Sequence, residues 1–312
     1  MARYELKTVI QHSVLKGFQA AFSVLIIMIP ISFFMTMLMY TGWLTPITGV
    51  LAPLMSVYDI PAEASMALIV GALLNIYACI AVMASMPLDM WSINIIAVMM
   101  LICHNLPIET AVQAQTGAPP AAMALFRIIA ALATGLVLTF ILPESLKMQP
   151  WVHASGLDPA SNLSWRHILC VWTHDSLLLT LKVTLIILAI TIFIDLMRHF
   201  NVLETLSALF KPFTFINALP TKATFMWMTG LFFGIAYGSG VLISEAKAGH
   251  LDRDTLLRLN ISLGISHSLI EDTLLFVAIG ASLLGVLIPR MIAAALCVWL
   301  FVALKALRNA SS

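Results

Sequence analysis

The sequence predicts an all-α polytopic membrane protein made of two homologous repeats, and three observations predict it. Hydrophobic residues make up 61% of the 312 positions and charged residues only 10%, with a mean hydropathy of +1.00. A soluble domain is about 45–50% apolar and about 25% charged, because its surface must stay wet. The second observation is a series of apolar runs near the length of a bilayer crossing, and the third is a set of polar motifs that recurs at fixed spacing. The net charge of +1 gives no basic field, so no nucleic-acid partner is expected.

The N-terminus is polar through Lys16, carries Arg3, Lys7 and Lys16, and leads into an apolar stretch from Phe18 to Tyr40. A signal peptide would have a core of about 7–15 residues followed by a small-residue cleavage site. We therefore expect a cytoplasmic segment at 1–16 and a retained first helix. A crossing needs about 20 apolar residues, which marks 17–40, 62–86, 92–106, 119–142, 177–197, 223–244, 259–277 and 281–304 as eight spanning helices. Two shorter pieces, Leu44–Val57 and Leu203–Ile216, contain Pro53 and Pro212 and are expected to be re-entrant or interfacial. The hydrophilic stretch 144–175 separates a first repeat at 17–143 from a second at 176–306.

The repeat rests on residues that rarely recur by chance. His104-Asn-Leu-Pro-Ile-Glu-Thr110 aligns with His267-Ser-Leu-Ile-Glu-Asp-Thr273 at an offset of 163, and Gly117 with Gly280 and Arg127 with Arg290 keep that offset. Upstream the offset is 159, pairing Pro53 with Pro212, Pro61 with Pro220 and Gly71 with Gly230. The four extra residues fall in the loop around His250 to Asp254, and loops absorb insertions. Basic residues mark cytoplasmic loops. Lys247, Arg253 and Arg258 place their loop inside, with the Lys305/Arg308 tail, whereas the equivalent loop Met86–Trp91 has no basic residue. That contrast favours inverted repeats with both termini cytoplasmic. Lys147 and Arg166 in the linker pull toward the parallel alternative.

An ionisable residue inside a membrane segment costs at least about 2.5–3.5 kcal/mol on insertion scales and needs a partner or a cavity. Pro107 removes a backbone donor and disfavours helix at Leu106, so the chain is expected to unwind beside His104 and Asn105. In the second half, His267 and Glu271 are four apart and are expected to share one helix face. A binding site for a small polar solute, with a coupling proton or sodium ion, would draw on His104, Asn105, Glu109, His267, Ser268, Glu271, Asp272 and Thr273. Paired broken helices form such sites in repeat-built transporters. The plainer alternative is structural: Glu109 with Arg127, and Asp272 with Arg290, would each clasp two consecutive helices. Gly230, Gly234, Gly238 and Gly240 suit either close helix packing or a hairpin tip that presents Tyr237 and Ser239. Asn75, near Tyr77, is the polar residue of the matching first-half run. No HExxH spacing, Walker sequence or nucleophile motif occurs, so neither metal, cofactor nor enzymatic activity is expected.

The segment Gly230-Leu-Phe-Phe-Gly-Ile-Ala-Tyr-Gly-Ser-Gly-Val-Leu-Ile-Ser-Glu245, the following Ile265-Ser-His-Ser-Leu-Ile-Glu-Asp-Thr273 and the echo at His104–Thr110 resemble the nucleoside-recognition, or Gate, family of bacterial inner-membrane proteins. The resemblance covers most of the chain. It implies kinship with spore maturation proteins A and B and, more distantly, with concentrative nucleoside transporters and ferrous-iron B-type transporters. It points to a secondary transporter of a nucleoside-like solute. The alternatives are a divalent-metal permease and a scaffold that binds a partner membrane protein or a second copy of itself.

Overall fold

The computed structural model describes residues 2–41, 43–150, 164–200 and 202–310. In chain order its helices are α1 (Ala2–Thr41), α2 (Leu44–Gly49), α3 (Ala52–Ser56), α4 (Ala64–Leu73), α5 (Ile76–Met83), α6 (Met90–Cys103), α7 (Leu106–Gln115), α8 (Pro120–Ile141), α9 (Trp165–His199), α10 (Val202–Ile216), α11 (Thr224–Tyr237), α12 (Ser239–Lys247), α13 (Arg253–Ser266), α14 (Glu271–Ala278) and α15 (Leu283–Ala310). Strand-like pairing among the described residues is limited to one bridge, Asp89 with Pro150. Among the described residues six stretches are long and apolar enough to cross a membrane: Leu6–Thr41, Met90–Gln115, Pro120–Ile141, Trp165–Met197, Arg253–Ala278 and Leu283–Ala310.

Two expected spans do not cross as single helices. The run 62–86 breaks at Leu74 and Asn75, where Asn75 is extended and its side chain accepts the Ala78 N–H at 2.9 Å, capping α5. The run 223–244 breaks at Gly234, whose φ of 79° and ψ of 172° suit glycine. Ten residues of helix rise only about 15 Å, half of a bilayer core.

Their ends show that both pairs turn back. The chain before α4 and the chain after α5 lie at one end of the molecule, where the Trp91 indole donates to Tyr58 O at 3.0 Å and Lys147 pairs with Asp59. The chain before α11 and after α12 lies at the opposite end, where Lys222 donates to His250 O at 3.0 Å and Arg258 donates to Ala218 O. The elements that turn back are thus α4–α5 and α11–α12, while 44–57 and 203–216, expected to be re-entrant or interfacial, form the short helices α2, α3 and α10. Apolar composition alone does not separate one span from two half-length helices.

The long helices α1 and α9 pack antiparallel. Ser13 and Lys16 hold Asp195 at 2.9 and 3.1 Å near one end, and the Trp172 indole donates to Ser32 Oγ at 3.2 Å near the other. Consequently the described part of the expected 1–16 segment, from Ala2, forms the first turns of α1, fastened through Asp195. The expected linker is also shorter, since Trp165 to Asp175 already belong to α9; positions 151–163 lie outside the described residues. Apolar side chains such as Phe22 on α1, Phe140 on α8 and Leu296 on α15 are exposed, as a lipid-facing surface requires. By contrast, α6 is buried almost throughout.

Local geometry recurs at the two offsets. Asp59 and Ala218 both adopt positive φ, as do Asn105 and Ser268, and Gly117 and Gly280. Asp89 and Asp252 both cap the helix that follows, accepting from Ser92 N–H and Thr255 N–H at 2.7 Å. That Thr255 bond holds the Asp252 carboxyl below its ordinary range.

Candidate functional site

The chain through α6 and α7 is interrupted at His104 (φ −73°, ψ 162°) and Asn105 (φ 50°, ψ 36°). Pro107 in the first turn of α7 has no N–H to donate, which makes restarting the helix inexpensive. The second half breaks in the same way at His267 (φ −63°, ψ 163°) and Ser268 (φ 48°), with no proline. His267 and Glu271 therefore do not share a helix face: an extended turn separates α13 from α14. The donors freed by each break are taken up by glycine carbonyls of the hairpins. Asn105 N–H donates to Gly71 O at 3.0 Å and Ser268 N–H to Gly230 O at 3.2 Å. A backbone can come this close because those positions carry no side chain.

Each arginine caps its own break. Arg127 donates to Ile102 O at 2.7 Å and His104 O at 3.0 Å, and Arg290 to Ile265 O at 3.1 Å and His267 O at 2.6 Å. These carbonyls end α6 and α13, where a cation is favoured. Beyond this the halves diverge. Arg127 also meets Glu109 Oε2 at 2.7 Å. Arg290 instead donates to Thr273 Oγ1 at 3.3 Å, and no contact within 4.0 Å joins it to Asp272. Asp272 Oδ2 lies 3.2 Å from His104 Nε2, in the other half. The expected Asp272–Arg290 clasp is thus replaced by a cross-half pair, and Thr273 accepts from the arginine.

The two interrupted stretches run antiparallel and cross at the histidines. Toward one end Asn94 Oδ1 accepts from Ser282 N–H at 2.8 Å, and toward the other Gln113 donates to Asn260 O at 3.1 Å. At the crossing the His104 and His267 rings stand 5.0 Å apart. Both Nδ1 atoms lie 2.8 Å from the carbonyl four residues earlier, at Met100 and Leu263. A carbonyl only accepts, so each Nδ1 carries a proton and each Nε2 is the atom facing the acids. His267 Nε2 is 3.1 Å from Glu109 Oε2, and His104 Nε2 is 3.5 Å from Glu109 Oε1. His104, Glu109 and His267 are all buried and present their ligand atoms within 4.8 Å of one another. Sequence spacing pointed away from a metal because the two imidazoles are 163 positions apart; the fold brings them together.

Beside this cluster is a cavity of about 420 Å³, within the range of small-ligand sites. Its polar wall includes Asn75, Tyr77, His104, Asn105, Glu271 and Asp272, with Glu109 and Ser268 also reaching it. Val24 and Ile27 of α1 form part of the apolar wall, and Phe233 and Gly234 bring in the tip of the second hairpin. The Tyr77 hydroxyl donates to Glu271 Oε1 at 2.7 Å. His267 is sealed beneath, and does not line the cavity as expected. Ser239 lies at the start of α12, away from the lining, and the side chain of Tyr237 lies outside the described residues. Ser23 of α1 also lines the cavity; one serine in a long apolar helix carried no signal.

Over 280 residues the chain is 27% identical to the uncharacterized membrane protein YvoD of Bacillus subtilis (strain 168), covering 90% of this chain and 89% of that one. No family model matches the chain, and no solved structure matches it. With six membrane-length apolar stretches among its described residues and a similar membrane protein, this is a multi-pass helical membrane protein.

Proposed function

We propose that the protein is a secondary transporter of a small polar solute, made of two inverted repeats of the Gate type and seated in the bacterial inner membrane. The observation that carries this reading is the meeting of two half-membrane hairpins, entering from opposite ends, with two interrupted helices around one polar cavity. Repeat-built transporters place their solutes at such broken helices near the midplane. Irregular backbone at that depth is tolerated where it is buried or lines a cavity. Inversion is supported by the equivalent helices α1 and α9, and by the equivalent interrupted stretches, each pair running antiparallel. The recurring caps, left-handed residues and arginine bonds support the duplication itself. A scaffold role is disfavoured because a scaffold needs no cavity and has no use for Asp272 turned away from Arg290.

In this reading Asn75, Asn105 and Ser268 offer hydrogen bonds to the solute, and Glu271, positioned by Tyr77, supplies an acceptor. Asp272, beside His104, holds the coupling cation. A nucleoside-like solute follows from the Gate resemblance. The test is a thermal-shift screen of purified protein against nucleosides and other polar solutes, followed by uptake into proteoliposomes. The expected result is saturable uptake that Asn75→Ser and His104→Ala abolish. No solute response in either assay removes the reading.

A further inference from the structure

We propose that His104 Nε2, His267 Nε2 and a carboxylate oxygen of Glu109 form a binding site for a divalent transition-metal ion of the zinc type. The ion would complete the solute site. Its role there rests on the transport reading above, whereas its binding rests on the geometry of the three side chains.

Two imidazoles and a carboxylate make a mixed nitrogen–oxygen donor set, suited to zinc and its first-row neighbours rather than to magnesium or calcium. Donors about 2.0–2.2 Å from a tetrahedral ion stand about 3.3–3.6 Å apart. The 3.5 Å from Glu109 Oε1 to His104 Nε2 falls in that range, His267 Nε2 lies 3.1 Å from the other oxygen of the same carboxylate, and the three ligand atoms all stand within 4.8 Å of one another. Both imidazoles also have the outer partner that metal-binding histidines use. Each Nδ1–H is held by a backbone carbonyl at 2.8 Å, which fixes the ring and aims Nε2 inward.

A second observation points the same way. His267 Nε2 is buried and lacks an aligned hydrogen bond, with its side chain 0% exposed and a Glu109 oxygen 3.1 Å away. A neutral His267 would set its Nε2 lone pair against carboxylate lone pairs, and a cation between them removes that conflict. Arg127 occupies Glu109 Oε2 at 2.7 Å, which leaves Oε1 as the better placed ligand oxygen. Three protein donors leave a coordination position for water or a solute oxygen, as in metal sites that act on a substrate. The cavity begins at His104 and Glu109 themselves.

The experiment uses the full chain in detergent, stripped with chelator and confirmed folded by its melt. Zinc and magnesium are then added separately, with bound metal measured by elemental analysis and calorimetry. The expected result is one zinc per chain, no stoichiometric magnesium, and a higher melting temperature with zinc. His267→Ala should lower zinc affinity more than about 100-fold, beyond the loss typical of an outer partner. If that variant does not fold, Glu109→Gln and X-ray absorption of the zinc-loaded parent decide, the latter expected to show two imidazoles. A folded parent without stoichiometric zinc, zinc affinity unchanged in folded ligand variants, or a spectrum without imidazole overturns the site. Solute screens run with and without zinc separate the two readings. Zinc binding with no solute response removes transport alone, and a solute response with no zinc binding removes the ion alone.

Discussion

The divergence of the two arginines sets up a double-mutant comparison. Replacing Arg127 with Met removes a guanidinium that is 0% exposed and lies 2.7 Å from Glu109 Oε2. It also strands the Ile102 and His104 carbonyls that end α6. Breaking a buried pair by removing one partner costs about 3–5 kcal/mol, and each stranded carbonyl about 1–3 kcal/mol. Two imidazoles within 3.5 Å of Glu109 can take up a proton and soften the first loss, so the total should fall toward the low end of the summed range of about 5–11 kcal/mol. Arg127→Met with Glu109→Gln should regain about 1–3 kcal/mol through the coupling of contacting residues. Arg290→Met also strands two carbonyls, but among the described residues no acid lies within ion-pair distance of it. Adding Asp272→Asn should then be additive within about 0.5 kcal/mol. Thermal melts of both four-protein sets in one detergent provide the measurement. Equal coupling in the two cycles, or coupling only between positions 272 and 290, would refute this assignment of partners.

Three further outcomes follow from the fold. In a chain with Cys170 and Cys297 replaced, a single cysteine at Met148 should react with an impermeant reagent from outside, and one at Ala248 or Ala310 should not; the reverse pattern sinks the orientation. Gly71→Val and Gly230→Val should each lower stability by about 1–3 kcal/mol by overpacking, because a Cβ there would collide with Met100 or Leu263; melts unchanged by both would contradict the close hairpin approach. Asn75→Ala should cost about 1 kcal/mol by loss of the α5 cap, while Asn75→Ser should keep the cap and the melting temperature. A solute response retained in Asn75→Ser would move the solute away from this residue.

The class of protein was legible in the sequence because it depends on composition: side chains this apolar have no aqueous surface to cover. The first break was legible because Pro107 acts on its own backbone, and the recurrence of His, Thr and Arg at one offset marked which residues correspond. The second break was not, since nothing in Ser266 to Ile270 prevents a helix locally. Only Gly230 O and Leu231 O, offered by the hairpin at 3.2 and 2.6 Å, make the extended turn affordable. The hairpins were hidden for a similar reason. Leu74 and Asn75 sit in an apolar run, and whether such a run crosses or turns back depends on what meets it at the midplane. Pairing across the halves was beyond any local pattern. Asp272 has an arginine 18 positions ahead, the same spacing that joins Glu109 to Arg127, yet it reaches His104 instead. Spacing along a chain decides which groups can meet within one hairpin. Which partner each acid takes was decided by the antiparallel crossing of α6–α7 with α13–α14, because that crossing brings the two imidazoles and the acids of both halves into one buried volume.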